Sequence, residues 1–323
     1  MEINGNLKPH VAVFMATYNG EKYLGEQLDS ILNQINVQVS VFIRDDNSTD
    51  NTRTVIETYQ QTHGNIFLLD TKPEQLNVTK NFFSIILDVD LSNIDYISYS
   101  DQDDIWLNHK LQAAVTAINE NKVNCYACNL QPGDANGQPK QSSSLISKLF
   151  RYLLNFKSNK QTPWDHYFEA ASAGCSLVLD KDAAFYLQKR LNQLYHRIPA
   201  NASHDWSTYA LTRIGGFKWF IDNNANIIYR QHSGNAYGTN TGWKGISKLL
   251  DLFRSGWYRK HIIMIDELYN DTELHPLFME IINNYDPSSF ISRSRVAFAI
   301  CRFRRKRIHR IVLFMLVLLG YFR

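Results

Sequence analysis

The stretch Ile94-Asp95-Tyr96-Ile97-Ser98-Tyr99-Ser100-Asp101-Gln102-Asp103-Asp104-Ile105-Trp106 joins an apolar run to an acidic one. Residues 94–100 read as a strand, and Leu107 to Asn119 carries helical spacing. Between them stand three carboxylates within four residues, Asp101, Asp103 and Asp104. Like charges at the mouth of a strand repel and raise one another's pKa, so the arrangement is costly unless something offsets it. A divalent cation would do so, and carboxylate oxygens suit Mg²⁺ or Mn²⁺. The competing reading is a solvated acidic turn leading into the next helix. The flanking sequence decides between the two.

Upstream, Val11-Ala12-Val13-Phe14-Met15 is a continuous apolar run that suits a strand buried on both faces, and it ends in the turn Ala16-Thr17-Tyr18-Asn19-Gly20. A helical pattern follows, with Tyr23, Leu24, Leu28, Ile31 and Leu32 on one face. Val37, Val39, Val41 and Ile43 alternate as a second strand, which ends in Arg44-Asp45-Asp46-Asn47-Ser48-Thr49-Asp50. From there a helix runs to about Gln61, capped by Ser48 or Asp50. Ile66 to Leu69 reads as a third strand, and Asn77 or Thr79 opens a helix through Phe82, Phe83, Ile86 and Leu87.

Strand and helix thus alternate four times, which predicts an α/β fold with a mostly parallel sheet flanked by helices. Ligands of such sheets bind beyond the carboxyl ends of the strands. Thr17-Tyr18-Asn19, Asp45-Asp46 and Asp101–Asp103 all fall on that edge. Three polar clusters converging there favour a nucleotide site over an accidental turn. Neither G-x-G-x-x-G nor G-x-x-x-x-G-K-[ST] occurs, so a dinucleotide dehydrogenase and a P-loop NTPase are disfavoured.

Composition agrees with a globular enzyme-sized chain: 323 residues, 44% hydrophobic and 20% charged. The net charge of +3 conceals an asymmetry. Nine of the 34 basic residues follow Asp286, and no acidic residue does, which leaves 25 basic against 31 acidic in the body. A basic tail on an acidic body points to a surface partner. Of four cysteines only Cys125 and Cys128 have metal or redox spacing. On a strand they point to opposite faces and no second pair follows, so reduced structural thiols are expected. Met1 to His10 is polar and Val11 to Met15 is short, which reads as no signal peptide and a cytoplasmic body.

Taken together, Ala16–Gly20, Arg44–Asp50 and Ser100–Trp106 resemble family 2 glycosyltransferases of the GT-A fold, over roughly residues 9 to 235. The resemblance implies that Asp46 contacts the nucleobase and that Thr17, Tyr18 and Asn19 lie against the nucleotide. It also implies that Asp101 and Asp103 hold Mg²⁺ or Mn²⁺ and the donor diphosphate. The chemistry fits, because cleaving a nucleotide-sugar bond leaves a diphosphate whose growing charge a metal neutralises. The chain then divides as 1–241, a GT-A domain with a nucleotide half (1–130) and an acceptor half (131–241), followed by a helical C-terminal region (242–323).

Residues 129 to 164 are irregular, read as a loop with a short helix near Ile146 to Phe156. The segment Phe168 to Leu179 holds Ala173-Gly174-Cys175-Ser176-Leu177-Val178-Leu179, an apolar strand where Gly174 allows close approach of a ligand or marks a bend. His204-Asp205-Trp206 stands where the family carries its catalytic carboxylate, usually as Glu-Asp. Asp205 is the candidate general base, with a helix N-cap as the alternative. His204 either tunes Asp205 or meets the acceptor, and Trp206 is a further acceptor candidate. Tyr229-Arg230-Gln231-His232-Ser233-Gly234-Asn235 is similar to the rhamnosyltransferase-like branch, in which the His completes the metal site and Arg230 faces diphosphate. A lone His at a strand end is otherwise structural. The Q-x-x-R-W motif of processive synthases is absent, which favours transfer of a single sugar.

Arg302-Phe303-Arg304-Arg305-Lys306-Arg307-Ile308-His309-Arg310 leads into the apolar run Ile311 to Leu319. That run is shorter than the ~20 residues needed to span a bilayer. It suits an in-plane anchor on an anionic inner membrane face, or else a buried terminal helix. No nucleic-acid recognition motif accompanies the basic block. The implied donor is dTDP-L-rhamnose, with a UDP-hexose as alternative, and the implied acceptor is a lipid-linked cell-surface glycan. A nucleotidyltransferase would carry a Gly-rich, basic loop after the first strand, and Ala16 to Gly20 lacks one. A glycan-binding module would not need Asp205.

Overall fold

The computed structural model describes residues 8–139, 160–199, 202–232, 250–269, 276–300 and 303–323. The alternation read from the N-terminal sequence is present. It comprises β1 (His10–Thr17), α1 (Glu21–Leu32), β2 (Gln38–Asp45), α2 (Thr52–Thr62), β3 (Ile66–Leu68), α3 (Val78–Asp88) and β4 (Tyr96–Ser100). Then come β5 (Ile105–Trp106), α4 (Lys110–Asn121), β6 (Cys125–Gly133), β7 (Val178–Asp180), α5 (Lys181–Leu194), α6 (His204–Ile214) and β8 (Trp219–Arg230). Beyond a helical stretch at 250–254, the described C-terminal residues form α7 (Trp257–Tyr269), α8 (Pro276–Asn283), α9 (Phe290–Ile300) and α10 (Arg307–Leu318). The short helix expected near residues 146–156 lies outside the described residues.

One eight-stranded sheet has the order β3-β2-β1-β4-β7-β6-β8-β5. Its first half, β3-β2-β1-β4, is parallel throughout, whereas β7 runs antiparallel to both β4 and β6. The sheet is therefore mixed. The parallel half keeps the carboxyl ends of β1, β2 and β4 side by side, with Thr17 opposite Asp45 and Met15 opposite Ser100.

Two apolar layers cover the sheet, and β1 shows why its sequence lacks alternation. Ala12 and Phe14 enter one layer while Val11, Val13 and Met15 enter the other, all fully buried. Each of the four larger side chains contributes roughly 1.5–3 kcal/mol of burial. Cys125 and Cys128 divide between the two layers as free, buried thiols. Asn77 caps α3 by accepting from the Lys80 N–H at 2.9 Å. The apolar segment 168–179 is strand only at its end: Gly174–Ser176 form a 3-10 turn, and β7 begins at Val178.

The C-terminal helices continue one of these layers, with Phe253, Ile262, Ile265, Val296, Leu313, Val317 and Phe322 in the same cluster as Phe82 and Trp206. Arg304, Arg305 and Lys306, read from composition as part of a membrane-facing block, turn toward the body instead. Arg305 and Lys306 are buried, and Arg305 lies within ion-pair distance of Asp165 and Glu169. Arg307 is exposed. Apolar side chains face solvent on both terminal helices: Phe290, Ile291 and Phe298 on α9, and Ile308, Ile311, Val312 and Met315 on α10. The pair is joined by Phe298 against Phe314 at 5.2 Å.

Candidate active site

The loops after β1 and β2 are stitched together before any ligand is considered. Asp45 accepts from Thr17 Oγ1 at 2.9 Å, from the Ser48 N–H at 2.9 Å and from Ser48 Oγ at 2.5 Å. Asn19, with φ 48°, donates its N–H to Ser48 Oγ and accepts the Thr49 N–H on Oδ1 at 2.8 Å. Asn tolerates this left-handed backbone because its short amide bonds locally. Glu21 and Asp50 clasp one another's loops through the Asn51 and Glu21 N–H groups. Asp45 is thus consumed internally. Its neighbour Asp46 accepts the Leu76 N–H on Oδ1 at 2.7 Å, which leaves Oδ2 without a protein partner among the described residues. Burial raises the Asp46 carboxyl pKa, against the pull of the Leu76 N–H.

The acidic loop is built differently. One oxygen each of Asp101 and Asp104 and the Cys175 sulfur lie within 4.8 Å of one another. Asp103 Oδ2 stands 2.8 Å from His232 Nε2, and the imidazole rests on the Tyr23 ring at 4.7 Å. Burial, then repulsion from Asp103 and Asp205, pushes the Asp101 carboxyl up to about 7. Asp104 is fully buried and held well above the usual carboxylate range by burial and the charges of Asp101 and Asp103. Among the described residues its Oδ2 has no hydrogen-bond partner, and the Cys175 thiol stands beside the carboxyl. Among the described residues, no lysine or arginine pairs with these three carboxylates.

A divalent cation fits that donor set. Adjacent ligands of an octahedral ion at about 2.1 Å stand roughly 3 Å apart, close to the Asp103–His232 separation. The orphaned Asp104 oxygen and the raised Asp101 pKa both mark uncompensated negative charge. Asp101, Asp103 and His232 could hold Mg²⁺ or Mn²⁺, with Asp104 behind them. The Cys175 thiol is buried and its pKa raised, and a soft ligand of that kind suits neither ion.

Asp205 sits in the first turn of α6, where Oδ1 receives the Trp206 N–H at 2.6 Å and the Ser203 hydroxyl. It is near enough for its charge to raise Asp101. His204 turns away from it into the core, stacked on Phe82 at 4.2 Å and edge-on to Tyr99 at 5.5 Å. Burial lowers the His204 pKa, against the pull of the Asp205 charge. Gly174 belongs to this packing, since a Cβ there would overlap His204 Nε2. Trp206 donates Nε1–H to the His166 carbonyl at 2.6 Å and lies against His261 of α7, with ring centroids 4.0 Å apart and planes tilted by 47°.

Arg230 holds the acidic loop from below. Its Nε donates to the Asp103 carbonyl at 2.9 Å, Nη1 to the Ala135 carbonyl at 3.0 Å, and Nη2 pairs with Glu26 at 2.5 Å. Its N–H also meets Asp104 Oδ1 at 3.3 Å. The guanidinium is buried and directed at these groups, not outward to a diphosphate. Two participants escaped the sequence reading. Gln102, the middle residue of Asp-x-Asp, bonds the Tyr18 backbone. Arg305 reaches Tyr209, one turn beyond Asp205 on α6. The acidic pair Asp165 and Glu169 in an aromatic stretch was the available signal for the second.

Residues 12–213 match the family described as Glycosyl transferase family 2. The dTDP-rhamnosyl transferase RfbG of Shigella flexneri is 34% identical over 309 residues, covering 95% of this chain and 100% of that protein. A GalNAc(5)-diNAcBac-PP-undecaprenol beta-1,3-glucosyltransferase of Campylobacter jejuni is 24% identical over 56% of this chain and 63% of its own. Among solved structures, TarS 1–349 of S. aureus in complex with UDP superposes with a TM-score of 0.52 at 14% identity, over 97% of this chain and 91% of that one. The mannosyltransferase PcManGT of Pyrobaculum calidifontis, solved with GDP-Man and Mn²⁺, gives a TM-score of 0.53 at 15% identity, over 95% and 79%. At such identities these two show the fold alone. A family match that spans both the acidic loop and α6, with a full-length relative at 34% identity, places the chain in glycosyl transferase family 2: it is a glycosyltransferase of the GT-A fold.

Proposed function

We propose that the protein is an inverting, metal-dependent enzyme that moves a single L-rhamnosyl group from dTDP-L-rhamnose to a hydroxyl of a growing cell-surface polysaccharide. The observation that carries the reading is the meeting, at one sheet edge, of Asp46, the uncompensated Asp101–Asp103–His232 cluster and Asp205. The 34% identity to a dTDP-rhamnosyl transferase over almost the whole chain supports the donor.

In this reading Asp46 Oδ2 accepts the N3–H of thymine, and the Tyr18–Asn19 turn lines the nucleoside. Asp101, Asp103 and His232 hold the cation, which when bound neutralises charge on the departing diphosphate. Arg230 and Glu26 position the loop from beneath. Asp205 accepts the proton of the acceptor hydroxyl through Oδ2 while that oxygen bonds to the anomeric carbon. The bond from that carbon to the β-phosphate oxygen breaks on the opposite face, inverting the configuration and releasing dTDP. Uracil presents the same N3–H edge, so a UDP-hexose is the second reading.

The acceptor is lipid-linked in this reading, supported by a relative whose name specifies a diphospho-undecaprenol glycan. No helix among the described residues is long and apolar enough to cross a membrane. The exposed apolar face of α9 and α10, with exposed Arg295 and Arg307 on the same helices, would instead lie on an anionic cytoplasmic leaflet. The test is nucleoside diphosphate release from a panel of nucleotide sugars with a polyprenyl-linked acceptor, with Mn²⁺, with Mg²⁺ and with EDTA. Turnover of dTDP-rhamnose alone, abolished by EDTA, is the expected result. Turnover of a UDP-hexose would overturn the donor, and turnover undiminished by EDTA would overturn the metal.

A further inference from the structure

Gln102 occupies the middle of the Asp-x-Asp motif but does not address the carboxylates on either side of it. Its Oε1 accepts the Tyr18 N–H at 2.9 Å, and its Nε2 donates to the Tyr18 carbonyl at 3.0 Å. One side-chain amide therefore pairs with both polar groups of one residue, 84 positions away in the chain. Gly20 leaves the space it needs, because a Cβ there would overlap Gln102 Oε1. On its other flank the same turn is tied to the β2 loop, through Asn19 to Ser48 and Thr49 and through the Gly20 N–H to Thr52. Between these two anchors Tyr18 is 44% exposed, a large aromatic residue at the rim of the site on a backbone held from both sides.

We propose that Gln102 is a positioning residue for donor recognition: it locks the Tyr18 backbone, from which the ring projects, to the acidic loop, so that the nucleoside and the diphosphate are received in one register. The inference rests on the nucleotide-sugar reading and names a residue for it. The chemistry requires a glutamine. A carboxamide offers one acceptor and one donor in a plane, matching the N–H and C=O of Tyr18. Glutamate offers two acceptors and would set an anionic oxygen against the Tyr18 carbonyl, while asparagine is one methylene too short. A rigid aromatic wall costs little entropy when the nucleoside arrives, and a loose one forfeits part of the affinity.

The experiment is calorimetric titration of dTDP in the presence of Mn²⁺ into the full chain and its Gln102→Ala, Gln102→Glu, Tyr18→Ala and Gln102→Ala/Tyr18→Ala variants, with donor KM and kcat alongside. Gln102→Ala and Gln102→Glu are expected to weaken dTDP about tenfold and to raise donor KM by a similar factor, with kcat within twofold. In the Tyr18→Ala background, Gln102→Ala should cost less than twofold more, since the ring it positions is gone. Equal dTDP affinity in wild type and Gln102→Ala would overturn the role, as would effects of the two substitutions that simply multiply. A wild-type chain with no affinity for dTDP or UDP would overturn the nucleotide-sugar reading and this role with it. Amide exchange of the 17–21 peptide without ligand separates a lost clamp from a misfolded variant: only those amides should exchange faster.

Discussion

Among the described residues, two groups of largely buried carboxylates are treated in opposite ways. Asp165 and Glu169 are met by three arginines: Arg213 at 2.8 Å and Arg305 at 3.5 Å on Asp165, Arg305 at 3.3 Å and Arg304 at 3.6 Å on Glu169. Tyr209 donates to Asp165 as well, at 2.8 Å. Asp101, Asp103 and Asp104 are crowded as well, yet among the described residues His232 is the one side chain within ion-pair distance of them, and one Asp104 oxygen has no hydrogen-bond partner. The first cluster is complete without a ligand and joins the C-terminal segment to α6. The second carries charge that the fold does not offset, which is what a cation and a diphosphate would require of it. Charge balance separates a structural cluster from a binding one more cleanly than carboxylate count does.

The largest effect should come from Asp205, whose charge adds to the unbalanced group. Asp205→Asn is expected to lower kcat by about three orders of magnitude while dTDP affinity, read by calorimetry, stays within twofold. A variant that loses affinity in proportion would move Asp205 into donor binding.

Breaking the balanced cluster should act on stability instead. Arg305→Met leaves Asp165 and Glu169 short of a buried partner, at a cost of about 3–4 kcal/mol in denaturant unfolding. A change under about 1 kcal/mol would mean that Arg213 and Arg304 suffice and that the comparison is overdrawn.

His261 gives a third, pH-dependent effect. It is buried against Trp206 with Nε2 unpartnered, and burial lowers its pKa to about 4. Below pH 6.5 the unfolded chain takes up a proton that the folded chain refuses, so this residue costs stability as pH falls from 6.5 to 4. His261→Phe should retain about 2 kcal/mol more than wild type at pH 4 and match it above pH 7, measured by urea unfolding across that range.

The smallest effect sharpens the contrast by its sign. Asp101→Asn removes a charge the fold does not offset, so the metal-free protein should gain about 1 kcal/mol at pH 8 while Mn²⁺ affinity falls at least tenfold. The neutralising change Asp165→Asn should destabilise, because it strands arginines. Thermal shift with and without Mn²⁺ reads both.

Much of this site was legible in the linear chain. The period of Val11–Met15 against that of Val37–Ile43, and the polar clusters ending β1, β2 and β4, depend on neighbours in sequence and on the rule that parallel strands align their carboxyl ends. Asp46, Asp101 and Asp103 were placed on that edge in this way, whereas Asp205, in the first turn of a helix, was singled out by the family resemblance alone. Other roles had no local signature. Asp45 and Asp46 are adjacent and alike, yet Asp45 is closed by Thr17 and Ser48 while Asp46 keeps one carboxylate oxygen unused among the described residues.

His232 reaches Asp103 across 129 residues, Arg230 binds Glu26 across 204, and Arg305 reaches Asp165 across 140. Within Arg304-Arg305-Lys306-Arg307 the residues look interchangeable, yet Arg305 is buried and Arg307 is exposed. By itself, then, the sequence determined the strand–helix alternation, the reactive edge and the carboxylates placed on it, because backbone period and turn chemistry are local. Tertiary structure alone decided which charges are balanced, because a long side chain finds its partner only after distant segments have packed and the desolvation of each group is set.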